Sequence, residues 1–119
     1  MLKLLKGKVH RATVTDADLN YEGSIGIDVA LMEASGMVPF EHVEVYDITN
    51  GSRFTTYAIP LPRDSGEITI NGAAAHLSKP GDLVIVCAFV FLEPAEAARH
   101  RPNLVLVDSA NKVKKITHA

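Results

Sequence analysis

Hydrophobic residues in this chain occur in short runs, most of them alternating with polar residues, and this pattern predicts β-strands. Residues Lys8–Thr15 are rich in β-branched side chains and predict a first strand. Two further runs, Val43–Ile48 and Phe54–Ile59, flank Asn50-Gly51, which is a strong hairpin signal. The continuous apolar run Leu83–Leu92 is typical of a buried strand. Short strands joined by closely spaced turns predict a mainly β protein, a small barrel with short helices.

Capping and turn residues place the remaining elements. Asp28 is a helix N-cap residue and Gly36 is a helix terminator, so a short helix is predicted over Val29–Ser35. Local patterns also predict two short strands, at Glu67–Ile70 and Leu104–Val107. They further predict one helical turn at Ala73–Leu77 and a second short helix at Pro94–Arg99.

Three segments are predicted to lack regular structure. Asp16-Ala17-Asp18 reads as a turn. The glycines of Tyr21–Ile27 predict a bend with an unusual backbone rather than a strand. The lysine-bearing residues after Val107 predict a solvated tail.

Length, charge and cysteine content bound the class of protein. A chain of 119 residues with 47% hydrophobic residues predicts a single domain, residues 1–119. The formal net charge of -2 gives no basic surface for nucleic acid. A single cysteine, Cys87, lies in an apolar run and predicts a buried thiol in a reducing cytoplasm. The N-terminus has no apolar signal-peptide core, and Leu83–Leu92 is about half the length of a membrane helix. We therefore expect a cytoplasmic protein without a membrane or nucleic-acid partner.

Standard catalytic constellations are not indicated by the residues. The five histidines have no metal-ligand spacing, so no metal site is expected. Gly23-Ser24-Ile25-Gly26 lacks the length and the lysine of a phosphate loop. Glu22 stands where a hydrolase nucleophile elbow requires glycine. What remains is a set of polar residues on predicted strands and a small-residue turn: Lys8, His10, Arg11, Arg53, Thr56, Tyr57 and residues 71–75. Each of them is also common as a solvated or packing residue, so the pattern alone leaves their function open.

Five segments, in order along the chain, resemble bacterial aspartate 1-decarboxylases. They are Gly7–Thr15, Ala17–Ser24 with its Tyr-Glu-Gly-Ser sequence, Thr49–Ile59, Ile70–His76 and Gly81–Val86. The resemblance implies a six-stranded double-psi β-barrel that assembles as a homotetramer. Beyond about Pro102 the likeness is loose, and nothing is transferred from there.

The resemblance also implies that the chain makes its own cofactor. The hydroxyl of Ser24 would attack the carbonyl of Gly23, and cleavage there would give fragments 1–23 and 24–119 with a pyruvoyl group derived from Ser24. Glycine at position 23 permits strained dihedral angles and leaves the carbonyl open to attack. The ketone would form a Schiff base with L-aspartate, and loss of the α-carboxyl group would give β-alanine, a pantothenate precursor. Neither a metal nor pyridoxal phosphate is implied.

Residue roles follow from matching positions in the family. In self-cleavage, Thr56 matches the residue that hydrogen-bonds the developing oxyanion, and His10 matches a proton shuttle, with a structural histidine as the alternative. Tyr57 matches the proton donor of decarboxylation, since a phenol carries its proton at neutral pH.

The resemblance assigns substrate binding to cationic side chains and to the small-residue turn. Lys8 and Arg53 supply positive charge for the two carboxylates of aspartate, and the residues leave open which cation holds which group. Further matches to the binding site are Thr56, Gly72, Ala73 and Ala74, and additional candidates without an assigned role are Arg11, Tyr21 and Asn71.

Two other classes stay open on the residues alone. A small barrel can be a non-enzymatic interaction module, although that reading leaves Tyr-Glu-Gly-Ser unexplained. An uncut enzyme could use Ser24 as a hydrolytic nucleophile, although no motif supplies its base. The residues also do not distinguish spontaneous cleavage from cleavage that needs an accessory maturation protein.

Overall fold

A single mixed β-sheet dominates the computed structural model, which describes residues 1–119. Its nine strands lie in the order β2-β6-β3-β5-β4-β7-β1-β8-β9. The strands are β1 (Leu2–Thr13), β2 (Asp16–Asp18), β3 (Ser24–Asp28), β4 (His42–Asp47), β5 (Arg53–Leu61), β6 (Ile68–Asn71), β7 (Leu83–Leu92), β8 (Asn103–Val107) and β9 (Val113–His118). The helices are α1 (Val29–Ser35) and α2 (Pro94–Ala97), and a 3₁₀ turn spans Gly72–His76.

The hairpin of β4 and β5 forms where the sequence predicts it. Tyr46 pairs with Arg53 and Val45 with Phe54 in antiparallel register. Gly51 lies in the left-handed region at φ +80°, which the Asn-Gly turn requires. This hairpin is the centre of the sheet, because β3 adds to its β5 edge and β7 to its β4 edge.

Alternate residues of the central strands form the core. On β4, Val43 and Val45 are fully buried, and they lie opposite Ala88 and Val86 of β7. The core contains eighteen buried residues drawn from most strands and from α1. Burying one such aliphatic side chain stabilises the fold by about 1.5–3 kcal/mol. The polar residues between them therefore project from the opposite face of the sheet.

The residues that follow β1 contact β6, which lies near the opposite edge of the sheet. The backbone N–H of Thr15 donates to the Ile68 carbonyl at 2.8 Å, and the Ile68 N–H donates to the Thr15 hydroxyl at 2.9 Å. Residues Asp16–Asp18 then pair in parallel with β6. The sheet is therefore curved, because four strands lie between β6 and β1 in its order.

Helix α1 begins and ends where its capping residues predict. The Asp28 carboxylate accepts from the N–H of Ala30 at 2.9 Å, and Gly36 closes the helix at φ +82°. The same carboxylate accepts from the N–H groups of Asp64 and Gly66, at 3.0 and 2.9 Å. A buried side chain thus joins the helix to the loop before β6.

The structure has nine strands where six were expected. The expected bend is confirmed at Tyr21 and Gly23 but is wrong from Ser24 onwards, because Ser24–Asp28 is a buried strand with partners on both sides. Gly26 is needed there for space, since a Cβ on it would lie 2.8 Å from the Leu61 side chain. The expected turn at residues 16–18 is also wrong, because these residues form the short strand β2.

The C-terminal residues form a strand rather than a tail. Residues Val113–His118 pair with β8, and every one of them is exposed, as expected for solvated lysines. The predicted burial of Cys87 is confirmed, and burial raises the pKa of its thiol. The chain has no helix with the length and apolar character needed to span a bilayer.

Candidate active site

Ser24 is the first residue of β3 and is only 2% exposed. It pairs with Asn71 of β6 on one side. On the other side β3 runs parallel to β5, with Ile25 opposite Ala58, so Tyr57 is level with Ser24. Because Ile25 and Ala58 face the core, Ser24, Tyr57 and Asn71 lie together on the opposite face of the sheet.

Two hydrogen bonds fix the Ser24 hydroxyl. It donates to the carbonyl oxygen of Glu22 at 3.3 Å and accepts from the side-chain amide of Asn71 at 3.0 Å. Asn71 is itself buried. The hydroxyl is therefore directed back towards the residues that precede it.

Gly72 packs backbone against backbone on the residue before Ser24. Its φ is +73°, and a Cβ there would lie 2.7 Å from the Cα and 2.8 Å from the nitrogen of Gly23. The Tyr21 carbonyl oxygen would be 3.1 Å away. A side chain at position 72 would therefore displace the segment that is expected to be cut.

The dihedral angle φ of Gly23 gives no support to the expected backbone strain. This angle lies outside the left-handed region, which five other glycines of the chain occupy. No heavy atom lies within 4 Å of the position that a Cβ would take, and the residue is exposed. Gly23 thus has an open side towards solvent, and the left-handed glycine beside the bond is Gly72.

No side chain caps the N-terminus of the 3₁₀ turn that follows β6. Asn71 occupies its N-cap position but makes no capping hydrogen bond, and its side-chain NH2 donates to Ser24 instead. The N–H groups of Ala73 and Ala74 in the first turn accordingly have no side-chain partner. Ala73 is exposed, so a carboxylate can approach this turn from solvent.

Tyr57 and Thr56 project from opposite faces of β5. The Tyr57 ring is partly buried on the face of Ser24, with its centroid 6.2 Å from that of Phe40. Phe40 is 73% exposed and borders the site from outside. Thr56 pairs with Val43, so its side chain lies on the core face. The structure therefore places only Tyr57 on the face that carries the Ser24 side chain.

Arg53 lies on the Ser24 face of β5, nearer the hairpin turn. Its guanidinium stacks 4.2 Å above the ring of Tyr46 and takes part in none of the three salt bridges of the chain. The Tyr46 hydroxyl donates to Glu44 at 2.9 Å, and burial together with this bond raises the pKa of Tyr46 to about 12. Arg53 is exposed and free to bind an anion. Tyr46 was not among the site residues predicted from the sequence, although the register of the hairpin places it opposite Arg53.

Lys8 and His10 lie elsewhere in the chain. Strand β1 is four steps from β3 in the order of the sheet. Both residues line a cavity of about 300 Å³ that is otherwise formed by β8 and β9, and Ser24 does not line it. One copy of the chain thus brings together Ser24, Asn71, Gly72 and Tyr57, but neither Lys8 nor His10 with them.

His10 and Arg11 sit at an irregularity of β1. The pairing with β7 shifts by one residue between Val9 and Ala12, and Arg11 has a left-handed φ of 64° with an exposed side chain. Such a bulge re-aims side chains. His10 Nδ1 is buried without a hydrogen-bond partner. Burial, followed by the charges of Lys8 and Arg11, lowers the pKa of His10.

The residues around Ser24 fit the pyruvoyl group that the resemblance implies. The position is buried, Gly72 leaves room for the backbone of position 23, and the Asn71 amide, which holds the serine hydroxyl before cleavage, lies beside it. The open side of Gly23 gives a substrate access to the same place. These are the features needed by a reactive carbonyl at a chain terminus.

Comparison with known proteins points to one family. Residues 1–114 match the family described as aspartate decarboxylase. The chain is 53% identical over 113 residues to an aspartate 1-decarboxylase of Bordetella avium, with 95% of this chain and 93% of the relative covered. It is 54% identical over 118 residues to that of Xylella fastidiosa, covering 99% and 94%. It is 55% identical over 111 residues to that of Syntrophus aciditrophicus, covering 93% and 96%.

Proposed function

The chain belongs to the aspartate decarboxylase family, and we propose that it is an aspartate 1-decarboxylase which converts L-aspartate to β-alanine and carbon dioxide. We further propose that the reactive group is a pyruvoyl group that the chain makes from Ser24. The observation that carries this second step is the buried Ser24 hydroxyl, fixed by Asn71 and directed towards the residues that precede it. A hydrolytic role for Ser24 has no such support, because no histidine or carboxylate is bonded to the hydroxyl.

Self-cleavage begins when the Ser24 oxygen adds to the carbonyl carbon of Gly23. The amide nitrogen leaves as an amine, and an ester then joins the two residues. Elimination of that ester releases fragment 1–23 with a new carboxylate, and hydrolysis of the remaining enamine releases ammonia. Fragment 24–119 then starts with the pyruvoyl group. Holding the two reacting atoms together supplies on the order of 7–11 kcal/mol of the barrier.

The pyruvoyl group supplies a carbonyl that reacts with the substrate amine and withdraws electrons as carbon dioxide departs. The chain's own residues position the substrate and move the proton. Tyr57, level with Ser24 on the same face, donates the proton that replaces the lost carboxyl group. The turn at Gly72-Ala73-Ala74, which no side chain caps, holds a substrate carboxylate. Thr56 stays a candidate for the self-cleavage step alone, because its side chain lies on the core face of β5, and Tyr21 has its carbonyl oxygen beside Gly72.

The cations of the site come from more than one copy of the chain. Arg53 is on the Ser24 face of its own chain, whereas Lys8 and His10 line a separate cavity. Assembly as a homotetramer of double-psi barrels would let a neighbouring copy present Lys8, His10 and Arg11 to Ser24. The return of β1 to β6 through Thr15 and Ile68 supports a closed barrel.

Intact-mass analysis of the purified protein tests the self-cleavage. The expected result is two fragments meeting between residues 23 and 24, the larger with a keto group in place of its N-terminal amine. Borohydride added with aspartate should attach the substrate to the larger fragment. Ser24→Ala should leave the chain folded, whole and inactive. Active preparations that contain only full-length chain and resist borohydride would contradict the proposal and favour an uncut enzyme.

A further inference from the structure

The cavity beside β1 has two side-chain rows that the register of the strands defines. Lys8 lies opposite Leu104, which lies opposite Thr117. His10 lies opposite Leu106, which lies opposite Lys115. All six side chains line the same cavity of about 300 Å³. Two leucines form its apolar floor, and the polar groups stand at its two sides.

The side chains that line this cavity favour an anionic ligand. Its charged groups are the ammonium groups of Lys8 and Lys115, and no carboxylate lines it. Neither lysine takes part in the three salt bridges of the chain. The buried Nδ1 of His10 has no partner, and the hydroxyl of Thr117 faces the same space. At about 300 Å³ the cavity is at the small end of ligand sites, which suits an amino acid.

We propose that Lys115 and Thr117 of β9 are substrate-positioning residues, which together with Lys8 hold a carboxylate of aspartate in this cavity. The inference rests on the proposed function, which gives Lys8 to the substrate and Ser24 to a neighbouring copy. It adds a second cation from a part of the chain where the family resemblance transfers no role. The single negative charge of that carboxylate then meets two ammonium groups, and the two leucines contact the methylene group of the substrate.

Steady-state kinetics of the fully processed enzyme test this assignment. Lys115→Gln should raise KM for aspartate roughly five- to tenfold, as for loss of one partly screened charge contact, with kcat and the extent of self-cleavage unchanged. Lys115→Arg keeps the charge and should stay within about twofold of the wild-type KM. Thr117→Val should raise KM less than Lys115→Gln does.

Lys114 provides the matched control, because strand alternation turns it to the other face of β9, outside the cavity. Lys114→Gln removes the same charge and should leave KM unchanged. An equal rise in KM for Lys114→Gln, or no rise for Lys115→Gln in an active enzyme, would overturn the inference alone. A wild-type protein that is uncleaved and does not decarboxylate aspartate would overturn the proposed function and this inference with it.

Discussion

Asn71 donates its side-chain amide to the hydroxyl oxygen of Ser24 across 3.0 Å, and the two residues are direct partners in the ladder between β6 and β3. The bond connects the turn that begins at Gly72 to the residue at which the chain is expected to be cut. Asn71 is also the N-cap residue of that turn, which has no side-chain cap, so the side chain at this position serves the hydroxyl instead.

Removing that amide should slow self-cleavage. We expect Asn71→Ala to lower the cleavage rate by about tenfold, since one hydrogen bond to a reacting group is worth on the order of 1.4 kcal/mol. The rate is followed as loss of full-length chain on denaturing gels or by intact mass. Asn20→Ala, at an exposed asparagine outside the site, should cleave at the wild-type rate. Equal rates for Asn71→Ala and the wild type would show that the amide does not assist the serine.

A methyl group at Gly72 should disturb the scissile segment. Gly72→Ala adds a Cβ about 2.7 Å from the Cα of Gly23 and also strains a φ of +73°. Gly81 is the matched control, because its φ is +94° and a Cβ there meets no atom within 4 Å. We expect Gly81→Ala to lose about 1–2 kcal/mol of stability from strain alone and to cleave normally.

In Gly72→Ala the steric conflict adds to the same strain, so we expect a larger loss of stability and slowed cleavage. Chemical denaturation and intact mass on both variants separate the two effects. Normal cleavage in Gly72→Ala would mean that the close approach of positions 72 and 23 is not needed for processing.

Tyr57 should matter for decarboxylation more than for cleavage. In Tyr57→Phe the ring still packs near Phe40, but the proton donor is gone. We expect fragments to form while the rate of β-alanine production falls by at least about a hundredfold, the usual scale for a general acid. Fragment content and carbon dioxide release are measured on the same preparation. Full turnover by the cleaved variant would remove Tyr57 from the role of proton donor.

His10 should make stability depend on pH. Its pKa is lower in the folded chain than the ordinary value near 6.5, so the unfolded state binds more protons below that pH. The stabilising effect of neutral His10 is complete above about pH 6.5 and is lost as the pH falls towards its folded pKa.

Urea denaturation between pH 7.5 and 5 tests this effect in the uncleavable Ser24→Ala chain, so that one species unfolds. We expect His10→Gln to lose less stability on acidification than its parent. His76→Gln, at an exposed histidine of the 3₁₀ turn, should follow the parent curve. Parallel curves for His10→Gln and the parent would contradict the assignment.

Local signals in the sequence predicted the local parts of the fold. Asp28 and Gly36 bound α1 because capping depends on a few neighbouring residues. Asn50-Gly51 marked the hairpin for the same reason. Strand β3 was missed because glycine is normally unfavourable inside a strand. Here Gly26 makes room for the Leu61 side chain, and both partner strands come from distant parts of the chain.

The candidate site was predicted only in part, for a related reason. The resemblance named Ser24 and Tyr57, but their common level in the sheet follows from the register of β3 and β5. Strand β9 has no buried residue, so no hydrophobic pattern could reveal Lys115 beside Lys8. The separation of Lys8 from Ser24 likewise depends on strand order, which spacing along the chain does not contain.

Strand β1 has hydrogen-bonded neighbours on both edges, β7 and β8, and lies wholly within residues 1–23. After cleavage following residue 23, fragment 1–23 would therefore remain hydrogen-bonded in the sheet, with β1 as an interior strand. The mass of the native protein and its hydrodynamic size would hardly change on cleavage. Fragment 1–23 would be released only in denaturant. The mature protein would then be a permanent two-chain complex, unable to refold from its large fragment alone.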